Sequence, residues 1–209
     1  LFMKAASSRC FRIGKERTVS LSAVSTERKD KNMNCTENEI LGNKVDLLSL
    51  LPTELEALML RLEEPKYRAR QIFSQLHRGL SPDEMTNVGK KTVEKLKKET
   101  VCFFPTIQKK LVSALDGTVK YLFALSDGNC IESVVMKYNH GNTICISSQV
   151  GCRMGCRFCA STIGGKVRDL LPGEMIGQII SAQKDLGERI GHVVMMGIGE
   201  PLDNFDNVL

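Results

Sequence analysis

The chain has 209 residues, 42% hydrophobic and 25% charged, with a formal net charge of +5. That composition is globular, enough for one or two domains, and no apolar run reaches the ~18 residues of a membrane span. Residues 1–33 hold the whole charge excess, eight Lys and Arg against three Asp and Glu, while residues 34–129 carry 14 against 13 and residues 130–209 carry 7 against 8, so bulk charge gives no argument for nucleic acid.

Residues 1–43 are rich in Ser, Lys, Arg and Asn and show no helical apolar period. Three readings stand: a disordered basic tail, an organellar transit peptide, or a non-native leader ahead of a true start at Met33.

Residues 44–103 read as a small helical domain. Pro52 suits a helix start, and Leu55, Leu58, Met59 and Leu62 recur at helical spacing. A second helix spans 67–78, with Ile72, Phe73 and Leu76 as its apolar stripe and Gly79 as its cap; Ser81-Pro82 opens a short turn. A third lies near 90–99 and carries Lys90, Lys91, Lys95, Lys97 and Lys98. These lysines, with Arg68, Arg70 and Arg78, either form solvated faces or grip phosphates.

Residues 104–142 switch to period two. Ile107–Ala114 and Thr118–Leu125 flank Asp116-Gly117 as a hairpin, and Asp127-Gly128 leads into a strand from Cys130 to Lys137. Cys130, Glu132, Val134 and Met136 share one face of it. Glu132 is either a base with a raised pKa among apolar neighbours or an edge carboxylate facing water. Cys130 reads as a core residue, and Cys10, Cys35 and Cys102 as incidental.

Residues 143–209 read as strand, ligand loop, helix and strand, one βαβ unit of a parallel array. The strand at 143–149 feeds the loop, a helix runs from Pro172 to about Arg189, and a strand follows at 193–197. Its VVMM run fits burial on both faces. Within CISSQVGCRMGCRFC (145–159), Cys152, Cys156 and Cys159 form a C-x3-C-x2-C triplet. Three thiolates on one loop suit three irons of a 4Fe–4S cluster, the fourth iron staying open to a small molecule. The other reading is a zinc knuckle completed by Cys145 or a histidine, but the chain has no second C-x2-C and no H-x3–5-H. Clustered thiols also speak for a reducing compartment. Gly151 and Gly155 allow tight turns, and Phe158 would set an aromatic ring beside the cluster. Gly197, Gly199 and Glu200 close the final strand, where glycine permits close approach to a ligand and a carboxylate can hold an ammonium.

The pair CISSQVGCRMGCRFCAST and VVMMGIGEPLDN resembles the RlmN/Cfr family of radical S-adenosylmethionine (SAM) RNA methyltransferases, on its RlmN side, from about Val45 to Leu209. The resemblance implies an α/β fold: a partial (βα) barrel preceded by a helical RNA-binding domain and a β-hairpin segment. It implies methylation of carbon 2 of adenine in 23S rRNA and tRNA. Cys152, Cys156 and Cys159 would hold the 4Fe–4S cluster, Gly199 and Glu200 the methionine ammonium of SAM. Glu132, thirteen residues before Cys145, matches a proton acceptor. Cys145 matches the cysteine that forms a transient disulfide with a methylated one. A reducing electron donor, a monomeric state and a cytoplasmic place follow, or an organellar one if residues 1–32 are a transit peptide. The methyl-carrying cysteine of the family lies in a segment expected after Leu209, so the chain reads as truncated at its carboxyl end and inactive alone. The alternatives are a Cfr-type carbon-8 methyltransferase and a non-catalytic metal-binding module contacting RNA.

Overall fold

A computed structural model describes residues 44–209; the readings of residues 1–43 lie outside the described residues. Helices α1 (Pro52–Arg61), α2 (Tyr67–Leu76) and α3 (Lys90–Glu99) follow the apolar spacing. Pro52 opens α1 where its fixed φ suits the first turn, and the Glu54 carboxylate accepts from the Leu51 N–H at 2.8 Å. Leu55, Leu58, Met59, Ile72, Leu76 and Leu96 are buried together. Two short strands, β1 (Val45–Asp46) and β2 (Thr100–Val101), pair in parallel and tie the start of this unit to its end.

Four antiparallel strands follow: β3 (Thr106–Val112), β4 (Val119–Ala124), β5 (Cys130–Tyr138) and β6 (Gly141–Cys145). A hairpin of β7 (Gln149–Gly151) and β8 (Lys166–Asp169) encloses the cysteine loop. Helix α4 (Pro172–Leu186) then leads to β9 (Ile190–Val194), which pairs in parallel with β6. The sheet order is β3-β4-β5-β6-β9, so the meander and the expected βαβ unit share one mixed sheet. The last strand begins three residues before its expected start and ends at Val194, and α4 stops at Gly187 rather than near Arg189.

One face of this sheet is covered. Tyr121, Phe123, Ile131, Val135 and Ile144 pack with Met175 and Ala182 of α4. The other face presents Lys120, Leu122, Glu132, Val134 and Cys145, all half-buried. Cys130 is half-buried on that second face, so it is not the core residue expected; the pleat sends Ile131 and Ser133 inward instead. On β9, Val193 is exposed, contrary to a strand buried on both faces, because β9 is an edge of the sheet among the described residues.

Helix α4 serves two cores. Ile176 and Ile180 pack into the helical unit, while Met175, Ile179 and Ala182 pack on the sheet. Its first turn is pinned by the Gly173 N–H, which donates to Ser49 Oγ at 2.8 Å; that hydroxyl donates to Asp46 Oδ2 at 2.6 Å. Burial pushes the Asp46 carboxyl up against this hydrogen bond. A buried ion cluster fixes the same end of the helix. Arg168, 2% exposed, forks onto Glu174 with two bonds of 2.7 Å, and its Nε donates to Asp127 at 2.6 Å.

Candidate functional site

The site is built around Ile146–Gln149, the stretch leaving β6. The Ile146 N–H donates to Val194 O at 2.9 Å, and the Gly197 N–H donates back to Ile146 O at 3.0 Å. The Ser148 and Gln149 N–H groups both donate to Ile198 O, at 2.9 and 3.2 Å. Ser147 Oγ donates to Glu132 O at 2.6 Å and accepts from the Ile198 N–H at 3.0 Å. Behind it, Gln178 of α4 donates to Ser147 O at 3.0 Å and accepts from the Ser147 N–H at 2.9 Å. Four residues therefore join β5, α4 and the loop after β9.

Glu132 and Cys145 share a face of the sheet. Val134 pairs in register with Cys145, and Glu132 lies two residues along β5, a diagonal separation of about 7–8 Å between side-chain roots. Of the two readings of Glu132, neither apolar lining nor open water describes it alone: Leu122 lies opposite it across the β4–β5 pair, and Lys120 Nζ, on the same face, stands 2.9 Å from its carboxylate. Burial pushes the Cys145 thiol up, opposed by the Met196 N–H. No disulfide joins any of the six described cysteines.

The triplet occupies the loop between β7 and β8. Cys152 is buried, Cys156 exposed and Cys159 half-buried. The Cys152 N–H donates to Gly165 O at 3.1 Å and the Cys159 N–H to Cys156 O at 3.0 Å. Gly151 has φ +74°, and a Cβ there would run into the Gly165 carbonyl, so only glycine lets the loop close at its base. Among the described residues, no three His, Cys, Asp or Glu side chains gather where a metal could sit. As a donor set the loop fits a 4Fe–4S cluster with three protein-held irons: three free thiols within eight residues. Phe158 is 86% exposed and points away from the described core.

Gly199 has φ +105°, and a Cβ there would lie 2.6 Å from Gln149 Cβ. The Glu200 N–H donates to Gln149 Oε1 at 3.0 Å, and its carboxylate accepts from the Leu202 N–H at 3.2 Å. Gln149 Nε2 donates to Asp169 at 2.8 Å and to Asp203 at 2.9 Å. Hydrogen bonds from Arg153, then Gln149, hold the Asp203 carboxyl well below the usual range, and Lys166 adds to them. Sequence reading missed Gln149 and Asp203. The available signal was the polar Ser-Ser-Gln run where a strand bound for the core should have stayed apolar.

Of the basic groups in the helical unit, Lys95 reaches Leu62 O at 2.7 Å, Lys97 pairs with Asp83, and Arg68 pairs with Glu64 at 3.5 Å. Arg70 and Arg78 instead line a cleft of about 410 Å³ with Tyr67, Gln71, Ser74 and Asn87.

Residues 45–102 match the ribosomal RNA large subunit methyltransferase N-terminal domain. Over 168 residues the chain is 54% identical to a probable dual-specificity RNA methyltransferase RlmN of Alkaliphilus metalliredigens, covering 80% of this chain and 48% of the relative. It is 55% identical over 168 residues to the RlmN of Lachnospira eligens, covering 78% and 47%. The chain is a relative of the RlmN proteins. It spans about half the length of the curated RlmN relatives it matches. A crystal structure of a radical SAM methyltransferase from Sphaerobacter thermophilus superposes with a TM-score of 0.71 at 37% identity, over 78% of this chain and 49% of that one. No helix of the described residues is long and apolar enough to cross a membrane.

Proposed function

We propose that this chain carries the cluster- and SAM-binding part of a radical SAM enzyme that methylates carbon 2 of adenine in 23S rRNA and tRNA. Cys152, Cys156 and Cys159 hold a 4Fe–4S cluster, and Gly199 and Glu200 hold the methionine ammonium of SAM. A cluster held there would supply an electron for reductive cleavage of SAM. Radical chemistry suits the target because carbon 2 of adenine is electrophilic and does not attack a SAM methyl directly. Glu132 accepts the proton lost from that carbon, and Cys145 offers its thiol beside it. Lys120 Nζ stands 2.9 Å from that carboxylate. The cleft of Tyr67, Arg70 and Arg78 suits unstacked RNA, with a ring for a base and two guanidiniums for phosphates.

One observation carries this reading. The stretch Ile146–Gln149 bonds to the Glu132 backbone on one side and to the Ile198–Glu200 loop on the other, midway between Cys145 and Cys152. Glu132 and Glu200 are therefore each one hydrogen bond from a single segment, which Cys145 and the cysteine loop flank in the chain.

The test is anaerobic reconstitution of the wild type and of the four Cys→Ala variants at 145, 152, 156 and 159, with iron and sulfide quantified. A brown protein absorbing near about 400 nm is expected from all but the three triplet variants. Cluster loss in Cys145→Ala with retention in a triplet variant would overturn the assignment. RNA methylation is read with the chain joined to the carboxyl-terminal half of the Alkaliphilus relative. There, Glu132→Gln should lower turnover about 10²–10⁴-fold at unchanged iron content.

A further inference from the structure

Asp203 stands three residues after Glu200 on the turn Pro201–Asn204, yet its carboxylate bonds to other elements. One oxygen takes Arg153; the other accepts from Gln149 Nε2 at 2.9 Å and from Lys166 Nζ at 3.1 Å. Arg153 lies between Cys152 and Cys156, and Lys166 opens β8 where the cysteine loop returns. Gln149 is on the strand that enters the loop. One carboxylate, 8% exposed, thus takes a donor from the entry, the body and the exit of the cysteine loop. The same Gln149 amide accepts the Glu200 N–H, so any shift of Asp203 is felt at Glu200. An acidic residue in a tight turn usually caps its own backbone; here every bond recorded for the Asp203 side chain leaves the turn.

We propose that Asp203 is a positioning residue that latches the cysteine loop to the Gly199–Glu200 loop, setting the separation between the three thiols and the carboxylate that holds the SAM ammonium. This rests on the reading of those residues as cluster and SAM ligands. Asp203→Asn keeps the volume but turns an amide N–H₂ toward donors, losing the pairing with Arg153 and Lys166.

Two measurements on the whole chain test it. In the cluster-free protein, amide hydrogen exchange over residues 153–164 should rise about tenfold in Asp203→Asn, the scale of one lost charge-assisted hydrogen bond, with β4 and β5 unchanged. After reconstitution, iron per chain should match the wild type while the SAM dissociation constant rises about tenfold. Arg153→Gln, at a side chain 66% exposed that the fold does not need, should move both readouts the same way by about threefold. Unchanged exchange in both variants overturns the latch. Raised exchange with unaltered SAM affinity in an iron-loaded variant overturns the positioning role and leaves only a stabilising one. A wild-type chain that takes up neither iron nor SAM overturns the proposed function, and this role falls with it.

Discussion

Arg168→Met should destabilise the chain far more than any surface charge change. The guanidinium is 2% exposed and makes two bonds of 2.7 Å to Glu174, one of 2.6 Å to Asp127 and one of 2.9 Å to Asp169 O. Methionine fills much of the volume but leaves Glu174, 7% exposed, with the Leu171 N–H at 2.9 Å as its remaining recorded donor. Removing one partner of a buried ion pair costs about 3–5 kcal/mol, because the other charge stays desolvated. With a urea slope of about 2 kcal/mol per molar, the unfolding midpoint should fall by about 2 M. Glu174→Gln still caps Leu171 and leaves Arg168 paired to Asp127, so its shift should be about half as large. Lys137→Met breaks a bridge to Glu188 whose side chains are both about half exposed, and should move the midpoint by less than about 0.5 M. Urea titration followed by circular dichroism reads all three. A midpoint for Arg168→Met within about 0.5 M of the wild type would show that the cluster does not hold the hairpin to α4.

Gly199→Ala should cost about 2–4 kcal/mol, since φ is +105° and the added carbon meets Gln149 Cβ at 2.6 Å; calorimetry should show a lower Tm, and the SAM binding proposed for this loop should be lost with it. For Asp185, hydrogen bonds from Lys110, then Tyr121, lower the carboxyl pKa, so its stabilisation is present above the unfolded carboxylate range and is lost as pH falls through the depressed value. The gap in urea midpoint between wild type and Asp185→Asn, worth about 1 kcal/mol at neutral pH for this partly exposed pair, should therefore close as pH falls below the ordinary carboxylate range of about 4. Cys102 is pushed up to about 12 by burial and should stay unmodified by a thiol reagent at neutral pH while exposed Cys156 reacts; mass spectrometry after brief alkylation reads both.

The parts of this structure written locally were legible. The meander followed from period-two runs around Asp116-Gly117 and Asp127-Gly128, and α4 followed from Pro172 and its apolar spacing. Strand β8 was missed because its inward residue is Arg168, which no hydrophobic pattern flags and which is tolerated only through acids 41 residues before and six after it. The cysteine triplet and the Gly199–Glu200 pair stood out by spacing. The Lys120 contact of Glu132 and the Asp203 network did not, since the first depends on the β4–β5 register and the second on contacts, such as that of Arg153, reaching across 50 residues. Exposure of Phe158 likewise depends on how the loop folds and not on its neighbours in the sequence.

The double duty of α4 has a mechanical consequence. One flank of the helix is embedded among the leucines of the helical unit and the other lies on the sheet, while Gly177 leaves no room between the helix and Pro105. A swing of one unit against the other would have to tear apolar surface from both cores at once. The Tyr67–Arg70–Arg78 cleft is thus held to the sheet that carries Glu132 as if by a stiff bracket. In the RNA-modifying role proposed above, adjustment of shape would then fall to the substrate and not to this bracket.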